Sequence, residues 1–181
     1  MQMNEAEKPI AKPEPFDWET MIDSPESART QFKHMCADFE DLGFRIDTKT
    51  KMLEVGSGKG VFTRYLVDFG CDVVAVDINP RGDTSIPVAR ISVEYLPFDE
   101  TDPLQRFDLV IGFGFIDPKV YIQNIGNIFS ELERVLEDKG YIYLMPLHNI
   151  SKEELELSLP FSLKVVVFDY YHVIIQKITS M

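Results

Sequence analysis

The stretch Met52-Leu53-Glu54-Val55-Gly56-Ser57-Gly58-Lys59-Gly60 constrains this chain more than any other. An apolar run carries an acid near its end, three glycines follow at alternate positions, and an apolar stretch with helical spacing comes next. A chain that leaves a strand and turns at once into a helix needs backbone angles that are costly for a residue with a side chain. Glycine reaches them freely. A second apolar run, Val73-Val74-Ala75-Val76, then stops at Asp77, about 17–20 residues beyond the turn.

Strand, glycine turn, helix and acid-tipped strand together build a nucleotide-cofactor site. The helix start presents unpaired N–H groups, and the acid accepts from ribose hydroxyls. The missing Cβ atoms admit a ligand close to the backbone, so a side chain at Gly58 is expected to fill the turn. Glycines in such a turn also serve the turn alone, but Glu54 and Asp77 agree with the ligand reading. The spacing is G-x-G-x-G, with Val61 where the dinucleotide fingerprint wants a third small residue. Glu54 would repel a pyrophosphate and attract a cationic amino group. S-adenosylmethionine carries an ammonium and a sulfonium and no phosphate, so the acid favours that cofactor. The expected contacts are Glu54, Gly56, Ser57, Gly58 and Gly60 on the turn, with Asp77 and Ile78 at the next strand end.

From about Thr50 to the C-terminus the chain resembles the class I S-adenosylmethionine-dependent methyltransferases. Glu54 to Gly60 is similar to that family's first motif, and Asp77 to its ribose-binding acid. Leu96-Pro97-Phe98 with Phe107-Asp108-Leu109-Val110 resembles its third-strand exit and fourth strand. Glu133 to Gly140 resembles the helix end and glycine turn before strand five. The resemblance implies that the residues leading into Leu96 contact adenine, with an aspartate four places before that leucine. Here that place holds Ser92, flanked by Val93 and Glu94, so either Ser92 accepts a weaker bond or Glu94 substitutes. It also implies that the chain after strand four, from Gly112 and Phe113 through Gly114, passes under the methionine part of the cofactor toward the acceptor.

The expected fold is α/β: a Rossmann-like, doubly wound, mostly parallel seven-stranded sheet with a C-terminal antiparallel hairpin and helices on both faces. Strands are expected at Lys51–Val55, Asp72–Asp77, Ala89–Val93, Leu109–Phe113 and Tyr141–Met145, and the hairpin at Leu163–Phe168 and His172–Ile178. Helices are expected from Ser24-Pro25 to Gly43, from about Lys59 to Asp68, from Pro118 to Leu136, and over Ser151 to Leu159 with Glu154 completing a capping box. The prolines and glycine between Asn79 and Pro87 leave the second crossover helix short or absent. In domain terms, residues 1–23 read as a flexible Pro-rich leader, in which Phe16 and Trp18 form a surface patch or a lid. Residues 24–181 read as one domain, with an N-terminal helix at 24–43 and an α/β core at 50–181.

Charge narrows the partners. Thirty acids against 18 bases give a net charge of −12 without a basic run, which disfavours nucleic acid as an unaided partner. No apolar run is long enough to cross a bilayer, and the start does not read as a signal peptide. Cys36 and Cys71 read as reduced thiols of a cytoplasmic protein, and three scattered histidines suggest no metal site.

The expected reaction is in-line methyl transfer to a small-molecule acceptor, in which the protein orients donor and acceptor and excludes water. His148 and Asp117 are the candidates for a catalytic group, the first as a base and the second otherwise a helix cap. The brevity of the chain after strand five leaves room for a homodimer or a partner subunit to complete the pocket. Two other readings stay open: a catalytically weak or inactive methyltransferase-fold subunit that binds cofactor or scaffolds a partner, and another nucleotide-fold enzyme such as a reductase.

Overall fold

The fold is described from a computed structural model, over residues 22, 24–82, 86–99, 101–114, 124–145, 150–169 and 171–179. Ser24 caps helix α1 (Pro25–Asp41): its side chain accepts from the Ser27 amide, and the Ser27 hydroxyl reciprocates at the Ser24 amide. Phe32, Met35 and Phe39 recur along the buried face of α1, and Gly43, at φ 72°, ends the helix as expected. The chain then enters strand β1 (Lys51–Val55), helix α2 (Val61–Phe69), strand β2 (Asp72–Asp77) and the short strand β3 (Val88–Arg90). Strand β4 (Phe107–Phe113), helix α3 (Ile125–Val135), strand β5 (Leu136–Met145), helix α4 (Lys152–Ser158) and the hairpin β6 (Leu163–Phe168) and β7 (Val173–Lys177) complete the order.

The seven strands form one sheet in the order β3-β2-β1-β4-β5-β7-β6. Neighbours from β3 to β5 are parallel, and β7 runs antiparallel to both β5 and β6. Winding reverses between β1 and β4, and ligands of open α/β sheets sit outside the carboxyl ends at such a reversal. Side-chain alternation along β1 decides what lies there. Leu53 and Val55 enter the core with Ile128, Phe129 and Leu132 of α3. Met52 enters the opposite core with Phe39 of α1 and with Phe62 and Leu66 of α2. Glu54 therefore shares the α2 face.

Several expected boundaries move, each for a local reason. β3 stops at Arg90 rather than Val93, because the Ser92 side chain accepts from the Glu94 amide and starts a 3₁₀ turn at Val93–Tyr95. β4 begins at Phe107, with Asp108 accepting from the Lys51 amide of β1. β5 begins at Leu136, directly at the end of α3. Its polar stretch is a bulge rather than a free turn, with Lys139 at φ 65° and a register shift between Phe107 and Leu109 on its partner. The expected start of the long helix at Pro118 lies outside the described residues. Between β2 and β3 no helix occurs among the described residues. The capping box of α4, Ser151 with Glu154, forms as expected.

Candidate functional site

Gly56, Gly58 and Gly60 all hold positive φ, at 70°, 54° and 70°. That is the left-handed region where a Cβ is strained, so the three glycines set the path of the turn. Among the described residues, and apart from Gly58 and its two chain neighbours, no atom lies within 4 Å of where a Cβ on Gly58 would stand. The demand of the fold at Gly58 is thus backbone conformation, and a side chain there would enter open space at the turn rather than meet protein.

The amides of this turn are largely used by the protein itself. Gly56 and Ser57 donate to the Val76 carbonyl at 2.9 and 3.3 Å, and Gly60 donates to Ser57 at 2.8 Å. Gly58 donates to Asp77 Oδ2 at 2.8 Å, and Asp77 Oδ1 accepts from the Asn79 amide at 2.6 Å. Those four amides are not aimed at a ligand's phosphates, which separates this turn from a phosphate cradle.

Glu54 lies under the turn with only 3% of its surface exposed. Its Oε2 accepts from Thr63 Oγ1 at 2.5 Å. Burial pushes the Glu54 carboxyl up to about 8; the Thr63 bond pulls down, and the Asp77 charge adds to the rise. Ser57 Oγ is also buried and has no hydrogen-bond partner. A buried acid beside an orphaned hydroxyl is a site with polar capacity to spare, because buried polar atoms in proteins are normally satisfied.

Both groups line a cleft of about 340 Å³ at the carboxyl ends of β1, β2 and β4. The structure brings together there Glu54, Gly56, Ser57 and Gly58 from the turn, Asp77 and Ile78 after β2, Ser92 and Val93 after β3, and Phe113 from the end of β4. Three other expected contacts stand elsewhere. Gly60 caps α2, Glu94 Oε1 accepts from Asn124 Nδ2 at 2.8 Å, and Gly112 is buried within β4 between Val55 and Leu144. His148 and Asp117 lie outside the described residues.

Sequence reasoning missed other lining residues. Ile22 precedes α1, Asn79 and Arg81 follow Asp77, Ile91 precedes Ser92, and Lys59 sits inside the glycine turn. Lys59, Asn79 and Ile91 adjoin expected contacts, so adjacency was the available signal for them, and Arg81 lies three positions beyond Ile78. Nothing in the sequence marked Ile22. His172, given no role from sequence, stacks on Tyr143 with ring centroids 5.2 Å apart, between Asp169 at 3.2 Å and Asp38 at 3.5 Å. Its Nε2, on the side of Asp38 in α1, has no hydrogen-bond partner, and the bond that reaches α1 here is the one the Tyr143 hydroxyl donates to Asp38 Oδ2 at 3.1 Å. Among the described residues no group of three or more His, Cys, Asp and Glu is placed to hold a metal ion, and no helix is long and apolar enough to cross a membrane.

Comparison with known proteins agrees with this geometry. The family described as methyltransferase domain matches residues 27–163. A magnesium-protoporphyrin O-methyltransferase of Rhodobacter capsulatus is 34% identical over 93 residues, 47% of this chain and 40% of that protein. Ribosomal RNA large subunit methyltransferase E of Thermoplasma acidophilum is 40% identical over 70 residues, 33% of each chain. The matches thus span less than half the length of these curated relatives. The fold is also that of a TehB-like SAM-dependent methyltransferase from Corynebacterium glutamicum, with a TM-score of 0.55 at 16% identity over 86% of this chain and 100% of the other.

Proposed function

The chain belongs to the methyltransferase domain family, and on that premise we propose that it transfers a methyl group from S-adenosylmethionine to a small-molecule acceptor. The observation that carries this reading is Glu54, a buried acid at the base of the cleft beside a turn whose amides are already engaged. Such a floor suits a cationic amino group, whose pairing favours the ionised form of the carboxyl, and offers no counter-charge to a pyrophosphate. The orphaned Ser57 hydroxyl and the acids Glu54 and Asp77 together make a donor set that fits this ligand.

The cofactor supplies an electrophilic methyl on a good leaving group, so the protein mainly binds, orients and keeps water out. Glu54 holds the ammonium. Asp77 keeps acceptor capacity for ribose hydroxyls, since an ionised carboxylate offers about four lone-pair sites and two amides occupy only part of them. Ile78, Ile91 and Val93 supply apolar contact for adenine, and Ser92 accepts from its amine in place of an aspartate. Phe62 and Phe113, with ring centroids 4.6 Å apart, wall the cleft on the acceptor side, where a small apolar molecule fits.

A second reading is a cofactor-binding subunit with weak or no activity; the neutral Ser92 favours it. One relative acts on ribosomal RNA, but a net charge of −12 weighs against an unaided nucleic-acid partner here. Two unpaired cysteines suit the cytoplasmic setting we assign.

Calorimetric titration with S-adenosylmethionine, S-adenosylhomocysteine and NADH tests the site. Binding of the two sulfur ligands and not of NADH is the expected result. If neither sulfur ligand binds, the proposal falls, and NADH binding would transfer the cleft to a reductase. Binding without methylated product across a metabolite panel would favour the second reading.

A further inference from the structure

The two walls at the nucleobase end of the cleft are held in different ways. The segment after β2 rests on the glycine turn through its own backbone. The Arg81 amide donates to the Gly58 carbonyl at 3.0 Å, and a Cβ on Gly82 would overlap the Lys59 carbonyl. The other wall, Ile91 to Val93, begins where β3 has ended. The Ile91 amide still donates to the Asp77 carbonyl at 3.0 Å. Beyond it come the 3₁₀ turn at Val93–Tyr95 and an extended Leu96, which pair with no strand among the described residues. Backbone groups outside helix and sheet must find other partners.

Helix α3 supplies them. Glu131 Oε2 accepts from the Leu96 amide at 3.1 Å. One turn on, Arg134 donates from Nη2 to the Leu96 carbonyl at 2.7 Å and from Nη1 to the Phe98 carbonyl at 2.5 Å. The same guanidinium closes on Glu131 through Nε and Nη2, at 3.1 and 2.8 Å. That bond holds the Glu131 carboxyl below the usual carboxylate range. Both backbone groups of Leu96 are therefore bonded by the two members of one ion pair. The planar guanidinium makes these bonds in a fixed fork that a lysine cannot copy. The step from there to the cleft is short. The Tyr95 amide donates to the Ser92 carbonyl at 3.1 Å, so the 3₁₀ turn couples Leu96 to Ser92.

We propose that Arg134 and Glu131 are positioning residues for the nucleobase: by clasping the backbone at Leu96 and Phe98 they fix Ser92 and Val93 against a bound purine. The inference rests on the methyl-donor reading and adds to it two residues that do not line the cleft. Their effect is geometric, because a wall displaced by about 1 Å loses packing and hydrogen bond together. It falls on the base and leaves the parts of the ligand near Glu54 and Asp77 as they were.

The test uses the full chain and two ligands, S-adenosylhomocysteine and S-ribosylhomocysteine, which keeps the ribose and the amino acid and lacks the base. Their affinities are compared by calorimetry in the wild type, Arg134→Gln, Arg134→Lys and Lys177→Met. Lys177 bonds the carbonyls of Glu133 and Leu136 at the end of the same helix, does not line the cleft, and so controls for lost stability. Hydrogen exchange over residues 91–98 is followed alongside. The wild type should prefer the ligand with the base by about a hundredfold. Arg134→Gln should cut that preference by about tenfold, Arg134→Lys by less, and Lys177→Met not at all. Exchange over 91–98 should quicken in both Arg134 variants and not in Lys177→Met. The proposal is overturned if both Arg134 variants keep the wild-type preference, if Lys177→Met lowers it equally, or if the wild type ignores the base. Should Arg134→Gln not fold, Arg134→Lys decides alone by the same criteria. If the wild type binds neither ligand, the methyl-donor reading falls and exchange judges the clasp: no quickening over 91–98 beyond that of Lys177→Met refutes it.

Discussion

Thr63 donates to Glu54 across the junction of β1 and α2, at 2.5 Å and nine residues apart in sequence. One oxygen of a buried acid is thereby fixed in place. The carboxyl is oriented before any ligand arrives, but one hydrogen bond does not replace the water that burial removes.

Stability should therefore fall as pH rises. The folded-state value of Glu54, about 8, lies above its ordinary 4.5. Between those values the folded chain keeps a proton that the unfolded chain has released. The stabilising contribution is complete below about 4.5, is lost across the window, and levels off above about 8. Thermal melts from about pH 5 to about pH 9 should show a downward slope in the wild type that Glu54→Gln lacks. Parallel profiles would remove the argument. The same substitution should weaken binding of the sulfonium ligand by about 1.5–3 kcal/mol, the scale of a hydrogen bond to a charged group.

Asp77→Ala should act on both stability and binding. It deprives the amides of Gly58 and Asn79 of their acceptor as well as removing the proposed ribose contact. A loss of about 1–3 kcal/mol in affinity is expected, together with a lower melting temperature. Unchanged affinity in calorimetry would mean that Asp77 serves the turn alone.

Gly58→Ala should cost about 1–2 kcal/mol of stability through its left-handed backbone, with no clash against protein. Chemical denaturation gives the number. A neutral result would show that the turn relaxes to negative φ.

Lys177 offers a control remote from the cleft. Its Nζ donates to the carbonyls of Glu133 and Leu136, both at 2.9 Å, and closes the C-terminal end of α3. Lys177→Met should leave those acceptors unpaired and cost about 1–3 kcal/mol in urea unfolding. Ligand affinity should not change, and a parallel loss of binding would count against the remoteness assumed for it.

The sequence was most informative where a signal was local and periodic. The Ser24 cap, the apolar spacing of α1 and the β-branched runs of β2 and β6 each carry their own geometry. It was least informative where two distant segments meet. Glu137 to Gly140 has the composition of a turn, yet pairing beside β4 draws it into a bulged strand. Ser92 and Glu94 could not be ranked from sequence. The 3₁₀ turn separates them, leaving Ser92 at the cleft and turning Glu94 toward Asn124. The meeting of the glycine turn and the segment after β2 depends on a backbone contact across 23 positions, from Arg81 to Gly58, which no propensity encodes.

The contact between Gly82 and the Lys59 carbonyl has a consequence for how such a chain can diversify. No side chain, not even a methyl group, fits at position 82 while the segment after β2 stays against the glycine turn. A lineage that acquires one must first lift that segment, and in lifting it carries Arg81 away from Lys59. Position 82 is therefore a hinge pin for the cleft wall: only glycine there lets the segment after β2 rest on the turn.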